Sequence, residues 1–139
     1  MSIGRARLTL FLIFVISFLV QVVAIFYSLR RGTIYGDNVT SFVKGLLSIY
    51  SVHLGVVVAG SFAQIRTTGP ARTASKTPFW TALVLAGTWN ALLAGRTLYF
   101  SLGSNDSIDD LMAYLTMLAS GGSFLVAGAL TYFFSHKSS

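Results

Sequence analysis

Four stretches of the chain, 8–29, 43–65, 79–100 and 111–134, are long and nearly free of charge. A hydrocarbon core is crossed by roughly 20 mostly apolar residues of helix. A water-exposed helix buries only a stripe and keeps a polar opposite face, which these runs lack. Composition points the same way. Hydrophobic residues make up 54% of the 139 positions and charged residues 10%, with a mean hydropathy of +0.72. Soluble domains carry roughly 25% charged residues. The expected fold is therefore all-α, a four-helix transmembrane bundle, forming one integral membrane domain over residues 1–139. The first run follows Arg5 and Arg7 as a signal peptide would. Its apolar stretch exceeds the usual 7–15 residues and no small-x-small cleavage site follows, so a retained helix is expected.

Four crossings put both termini on one side of the membrane. With the N-terminus inside, the cytoplasmic face carries Arg5, Arg7, Arg66, Arg72, Lys76 and Lys137 and no acid. The outer face then carries Arg30, Arg31, Lys44, Arg96 and all four acids, Asp37, Asp106, Asp109 and Asp110. Basic residues favour the cytoplasm, so the expected topology is N-in/C-in; "LRRG" after the first run pulls the other way. The loop "RTTGPARTASKTP" presents Arg66, Arg72 and Lys76 for contact with anionic lipid headgroups, or for docking a soluble protein partner. Lipid contact is the favoured role there, ahead of direct nucleic-acid binding.

Lipid supplies no hydrophobic reason for two helices to associate, so contact comes from close packing at small residues and from interhelical hydrogen bonds. The second run has Gly45, Ser48, Val52, Gly55 and Ala59 on one face; the third has Gly87, Ala91 and Gly95; the fourth has Ala119, Ser123 and Ala127. The first run has no such series and is expected to face lipid, with the other three at the centre or at a seam between copies. A homo-oligomer is expected on this ground. Tyr27, Tyr35, Phe79, Trp80, Tyr99, Phe100, Tyr132, Phe133 and Phe134 lie near run ends, as an interfacial aromatic belt would. Ser107 ahead of Asp109 and Asp110 fits a helix start.

His53 stands in the middle of the second run. Asn90, Ser120, Ser123 and Gln21 lie at similar depth in the other three, giving a midplane polar layer or gate. A haem between helices needs two axial histidines, and His136 lies in the polar tail, so two copies would each have to supply His53. No acid or thiol accompanies it for a metal site, since glutamate and cysteine are absent. No nucleophile or glycine-rich phosphate motif appears, so neither catalysis nor a cofactor is expected. The readings left are a neutral imidazole bonded across the bundle, to Asn90 or a serine, or a gate in a narrow pore. In the first case His53→Gln would be tolerated, because an amide keeps a donor and an acceptor. Arg96, near the outer end of the third run, either snorkels to the headgroups or pairs with Asp109 or Asp110.

The length, the four runs, the basic loop between the second and third, and the "LLSIY…GSFAQIR" style of the second run together resemble small four-span bacterial membrane proteins of phage defence. The Rex-exclusion and Kiwa membrane subunits are of this type. The resemblance implies an oligomeric membrane sensor, channel or ion-leak component in a bacterial inner membrane, and it carries over no site residue. The alternative is a non-catalytic anchor subunit that docks a soluble partner through the basic face. A small transporter or haem-carrying subunit is a third reading.

Overall fold

The computed structural model describes residues 3–65 and 76–135, with the backbone alone at 3, 60–65, 76 and 135. Arg66, Arg72, Lys137 and His136 lie outside the described residues, and so does the side chain of Lys76. Four helices account for nearly all of it: α1 (Ile3–Arg30), α2 (Gly36–Ile65), α3 (Lys76–Ser101) and α4 (Ile108–Ser135). Each expected run falls within one of them.

The helix ends follow from local chemistry. Gly32, at φ 72°, closes α1 in a Schellman turn, with Gly32 N–H donating to Leu29 O at 3.0 Å and Thr33 N–H to Ser28 O at 3.1 Å. Gly103, at φ 118°, follows the end of α3 and donates to Phe100 O. At the start of α4, Ser107 and Asp110 form a reciprocal capping box. Asp110 N–H donates to Ser107 Oγ at 3.1 Å, and the Asp110 carboxylate accepts from Ser107 N–H at 3.1 Å.

α1 packs against α2 and α3, and α4 against the same two, so α1 faces α4 across one diagonal and α2 faces α3 across the other. Matched contacts give the directions. Ser17 meets Asn90 and Gln21 meets Thr97, so α1 and α3 run parallel. Phe79 meets Phe133 and Trp89 meets Leu118, so α3 and α4 run antiparallel. Buried positions recur every three or four residues, as in Phe42, Leu46, Tyr50, His53 and Val57 of α2. This spacing holds a narrow seam against neighbouring helices.

Two expectations are corrected here. α1 is not a lipid-side helix: Leu10, Phe14, Ser17, Gln21 and Ile25 are buried, and α1 is as central as the others. Large residues in α1 fill the interior as well as small ones do. The small-residue faces of α2 and α3 mostly turn outward instead. Ser48, Gly55, Ala59, Ala91 and Gly95 are exposed, and Gly87 is half-buried with open space where a methyl would go. On α4, Ala119 is buried while Ser123 and Ala127 are half-buried. The close approaches are at Gly45, against Met112, and at Gly122, against the Trp89 indole. The aromatic belt is also partial, because Phe79, Phe100 and Phe133 are core residues whereas Tyr27, Tyr35, Trp80, Tyr99 and Tyr132 are exposed.

α1, α2 and α4 contain stretches long and apolar enough to cross a membrane, Gly4–Arg30, Gly36–Ala59 and Ile108–Phe134. α3 has 26 residues, about 39 Å of helix at 1.5 Å per residue, but Thr77, Thr81, Thr88, Asn90, Arg96 and Thr97 make it more polar than the run-counting expectation allowed.

A methyl at Gly122 overlaps a ring held between four helices, whereas one at Gly55 meets nothing. Gly122→Ala is expected to lower stability by about 1–3 kcal/mol through overpacking. Gly55→Ala is expected to leave it unchanged or raised, since alanine is the better helix former. Thermal unfolding in detergent followed by circular dichroism reads both, and equal effects would contradict this packing.

Candidate functional site

The interior holds polar groups in two adjoining layers. The first layer centres on Tyr50 of α2. Its hydroxyl donates to Asn90 Oδ1 at 2.9 Å, accepts from Gln21 Nε2 at 2.7 Å, and pairs with Ser17 Oγ at 2.8 Å. One donor and two acceptor sites are all a phenol has, so Tyr50 is saturated. Gln21 Nε2 also donates to Ser17 O at 3.2 Å, and Gln21 Oε1 accepts from Thr97 Oγ1 at 3.1 Å. Asn90 Nδ2 donates to Ala86 O at 2.8 Å. The layer joins α1, α2 and α3 and contains only hydroxyls and amides.

The second layer lies one helical turn further along α2. His53 is 0% exposed and packs against two rings that also touch each other. Phe14 of α1 stacks on it at 5.5 Å and 19°, and Trp89 of α3 lies 4.5 Å away at 37°. Tyr50 lies 5.5 Å from Trp89, so the two layers touch. Nδ1 of His53 contacts the carbonyl of Ile49, one turn back on its own helix, at 3.3 Å. That contact assigns the ring proton to Nδ1. Nε2 has no hydrogen-bond partner within bonding geometry, and the backbone of Ser123 on α4 lies close enough to the imidazole to interact with it. The indole N–H of Trp89 donates to Leu118 O of α4 at 3.4 Å, tying α3 to α4.

The expected midplane residues thus divide. Gln21 and Asn90 are buried and share the Tyr50 layer. His53 is buried but bonds to neither Asn90 nor a serine side chain: Asn90 is occupied by Tyr50 and by its own helix, and the imidazole is stacked on Phe14 with Trp89 beside it. Ser123 is half-buried and contributes its backbone side to His53. Ser120 is exposed and donates to Met117 O at 3.0 Å, so it is not in the layer. Both serines sit on α4, whose inward positions are Leu111, Leu115, Ala119, Val126 and Leu130.

Three network members, Ser17, Tyr50 and Thr97, and the two rings Phe14 and Trp89, were not among the expected site residues. Tyr50 carried a signal, lying three residues before His53 on its face. Ser17 and Thr97 carried none beyond heptad spacing from Gln21 and Asn90.

At the end of the bundle where α3 meets α4 through the 102–107 turn, Arg96 pairs with Asp106 at 2.6 Å, not with Asp109 or Asp110. Its guanidinium also lies 5.1 Å from the Tyr114 ring and 5.5 Å from that of Tyr99. Asp110 is held in the capping box, and Asp109 is exposed. Asp106 wins because the 102–107 turn brings it back over the last turn of α3.

No protein-family model, no curated protein and no solved structure matches the chain.

Because His53 packs against Phe14 and Trp89 and its Nδ1 contact at 3.3 Å stays within its own helix, shape outweighs hydrogen bonding there. His53→Phe is expected to be tolerated better than His53→Gln, the reverse of what an interhelical bond would require. Thermal unfolding in detergent decides it, and a more stable Gln variant would overturn the stacking account. Tyr50→Phe is expected to cost about 1 kcal/mol, within the range of about 0.6 on average to about 1.7 at most found for interhelical bonds in membranes.

Proposed function

We propose that this is an integral membrane protein in which all four helices cross the bilayer, N-in/C-in, and that it acts without catalysis as an oligomeric sensor, channel or ion-leak component. In this reading the packed bundle is the closed state. The observation that carries it is the inverted polarity of the bundle. Ser17, Gln21, His53, Asn90 and Thr97 are buried, while Val23, Phe26, Val52, Val84, Leu92 and Phe124 face outward, Phe124 at 81% exposure. Monomers in water rarely expose apolar surface on this scale, and polar residues inside membrane bundles face the interior. α3 fits the same pattern. Its outward residues include Trp80, Val84, Leu92, Leu98 and Tyr99, its Asn90 and Thr97 point inward, and its Arg96 is paired.

A saturated polar layer suits a closed gate. No hydroxyl or amide in it is left calling for water, and its bonds are individually weak enough to exchange for water when the helices separate. The outward small residues Ser48, Gly55 and Ala59 on α2 fit close approach by another copy. The resemblance to phage-defence membrane proteins supports a stimulus at the bacterial inner membrane. A second reading, an anchor subunit docking a soluble partner, is favoured by the acid-free inner face with Arg66, Arg72 and Lys76.

Potassium release from liposomes tests the gate. Tyr50→Phe and Asn90→Leu are expected to raise the leak over wild type by loosening the layer. No leak in any of the three would leave the anchor reading. Cysteines at Ser75 and Ser104 are expected to label from opposite sides, with Ser104→Cys reached by an impermeant reagent in intact cells; labelling of Ser75→Cys instead would sink the topology. Gly55→Leu is expected to lower the native mass of the detergent complex while keeping helicity, since nothing in its own chain lies within 4 Å of an added carbon. A monomeric wild type in several mild detergents would remove the oligomer.

A further inference from the structure

The seam between α1 and α3 is open on its outer side. One apolar cavity of about 330 Å³ begins at Ile13, and a second of about 460 Å³ ends at Tyr27 and Leu102. Both are lined by Ile16 and Val20, so they form one groove along α1. Each lies within the roughly 300–1,000 Å³ of small-molecule sites. From residue 13 to residue 27 is about 21 Å of helix at 1.5 Å per residue, more than the roughly 15 Å of hydrocarbon in one leaflet. The floor includes Ser17 and Asn90, but their polar atoms are engaged with Tyr50 and with backbone carbonyls, so the walls offer only carbon.

The outer mouth is different. Tyr27 is half-exposed, and the guanidinium of Arg31 lies 5.7 Å from its ring centroid. Arg30 ends α1 beside it. Neither arginine has an ion pair among the described residues, and Asp106 is engaged by Arg96. An apolar slot of leaflet depth thus ends at two exposed cations on an aromatic rim.

We infer that this groove binds one acyl chain of an anionic phospholipid of the outer leaflet, with the phosphate and its charged headgroup held at Arg31 and Arg30. The inference rests on the proposed membrane-spanning arrangement of α1 and α3. A helix of a second copy is the rival occupant, but a chain of net charge +6 does not complement two arginines at the mouth as an anionic headgroup does.

Native mass spectrometry of the full chain, released from mild detergent with phosphatidylglycerol or phosphatidylcholine of identical chains, tests it. Wild type is expected to retain phosphatidylglycerol at least about fivefold better, from about one arginine's attraction to an anionic surface. Arg31→Gln is expected to cut that preference, and Arg30→Gln with Arg31→Gln to bring the two lipids to parity. Val23→Trp, at an exposed groove position, is expected to lower retention of both lipids. Equal retention by wild type, an unchanged preference in the double variant, or a Val23→Trp protein that loses a dimer mass but no lipid would each overturn the site. Protein that stays in solution without detergent would fail the membrane reading itself, which separates the two failures.

Discussion

The hydroxyl of Tyr50 ties three helices together. It donates to Asn90 on α3, accepts from Gln21 on α1 and pairs with Ser17 on α1, while its own backbone belongs to α2. Surrounded by lipid, helices gain nothing from burying apolar area against one another, so directional contacts and close fit must set their register. One-turn slips that would cost little in a smooth apolar seam would here strand an amide or a hydroxyl without a partner, at about 1–3 kcal/mol each. The parallel run of α1 beside α3 follows from the same knot, because Ser17 with Asn90 and Gln21 with Thr97 keep step along both helices.

α4 is joined by other means. It brings no side chain to the Tyr50 layer. It is held by Leu111, Leu115, Leu130 and Phe133 in the core, by the indole of Trp89 on its Leu118 carbonyl, and by Arg96 with Asp106 and Tyr114 near the 102–107 turn. Gly122 lets α4 approach that indole. The Phe14, His53 and Trp89 rings therefore link the bonded half of the bundle to the half held by shape. α4 therefore meets the layer that contains His53 directly and the Tyr50 bonds only through those rings.

Much of the site was visible as residue type and depth, and little of it as partnership. Gln21, His53 and Asn90 stand out in the sequence because polar groups in apolar runs are conspicuous. Tyr50 looks like one more large residue, and Ser17 and Thr97 pass unnoticed among small ones. Their significance is that two specific turns on different helices meet, which no local spacing encodes. The same limit explains Arg96. Three aspartates follow it within 14 residues, and only the path of the turn selects Asp106.

What the sequence determined by itself was the elements and their apolar character. Long apolar runs must be helical where no water can satisfy the backbone, and Gly32, Gly103 and the Ser107–Asp110 box mark where those helices stop. What the tertiary structure decided was which face of each helix looks inward. Small-residue spacing and heptad spacing both repeat every three or four residues, so α2 offered two seams of equal regularity. Packing chose the one bearing Tyr50 and His53, because buried hydroxyls and amides in lipid must find partners, whereas Ser48, Gly55 and Ala59 lose nothing by facing outward.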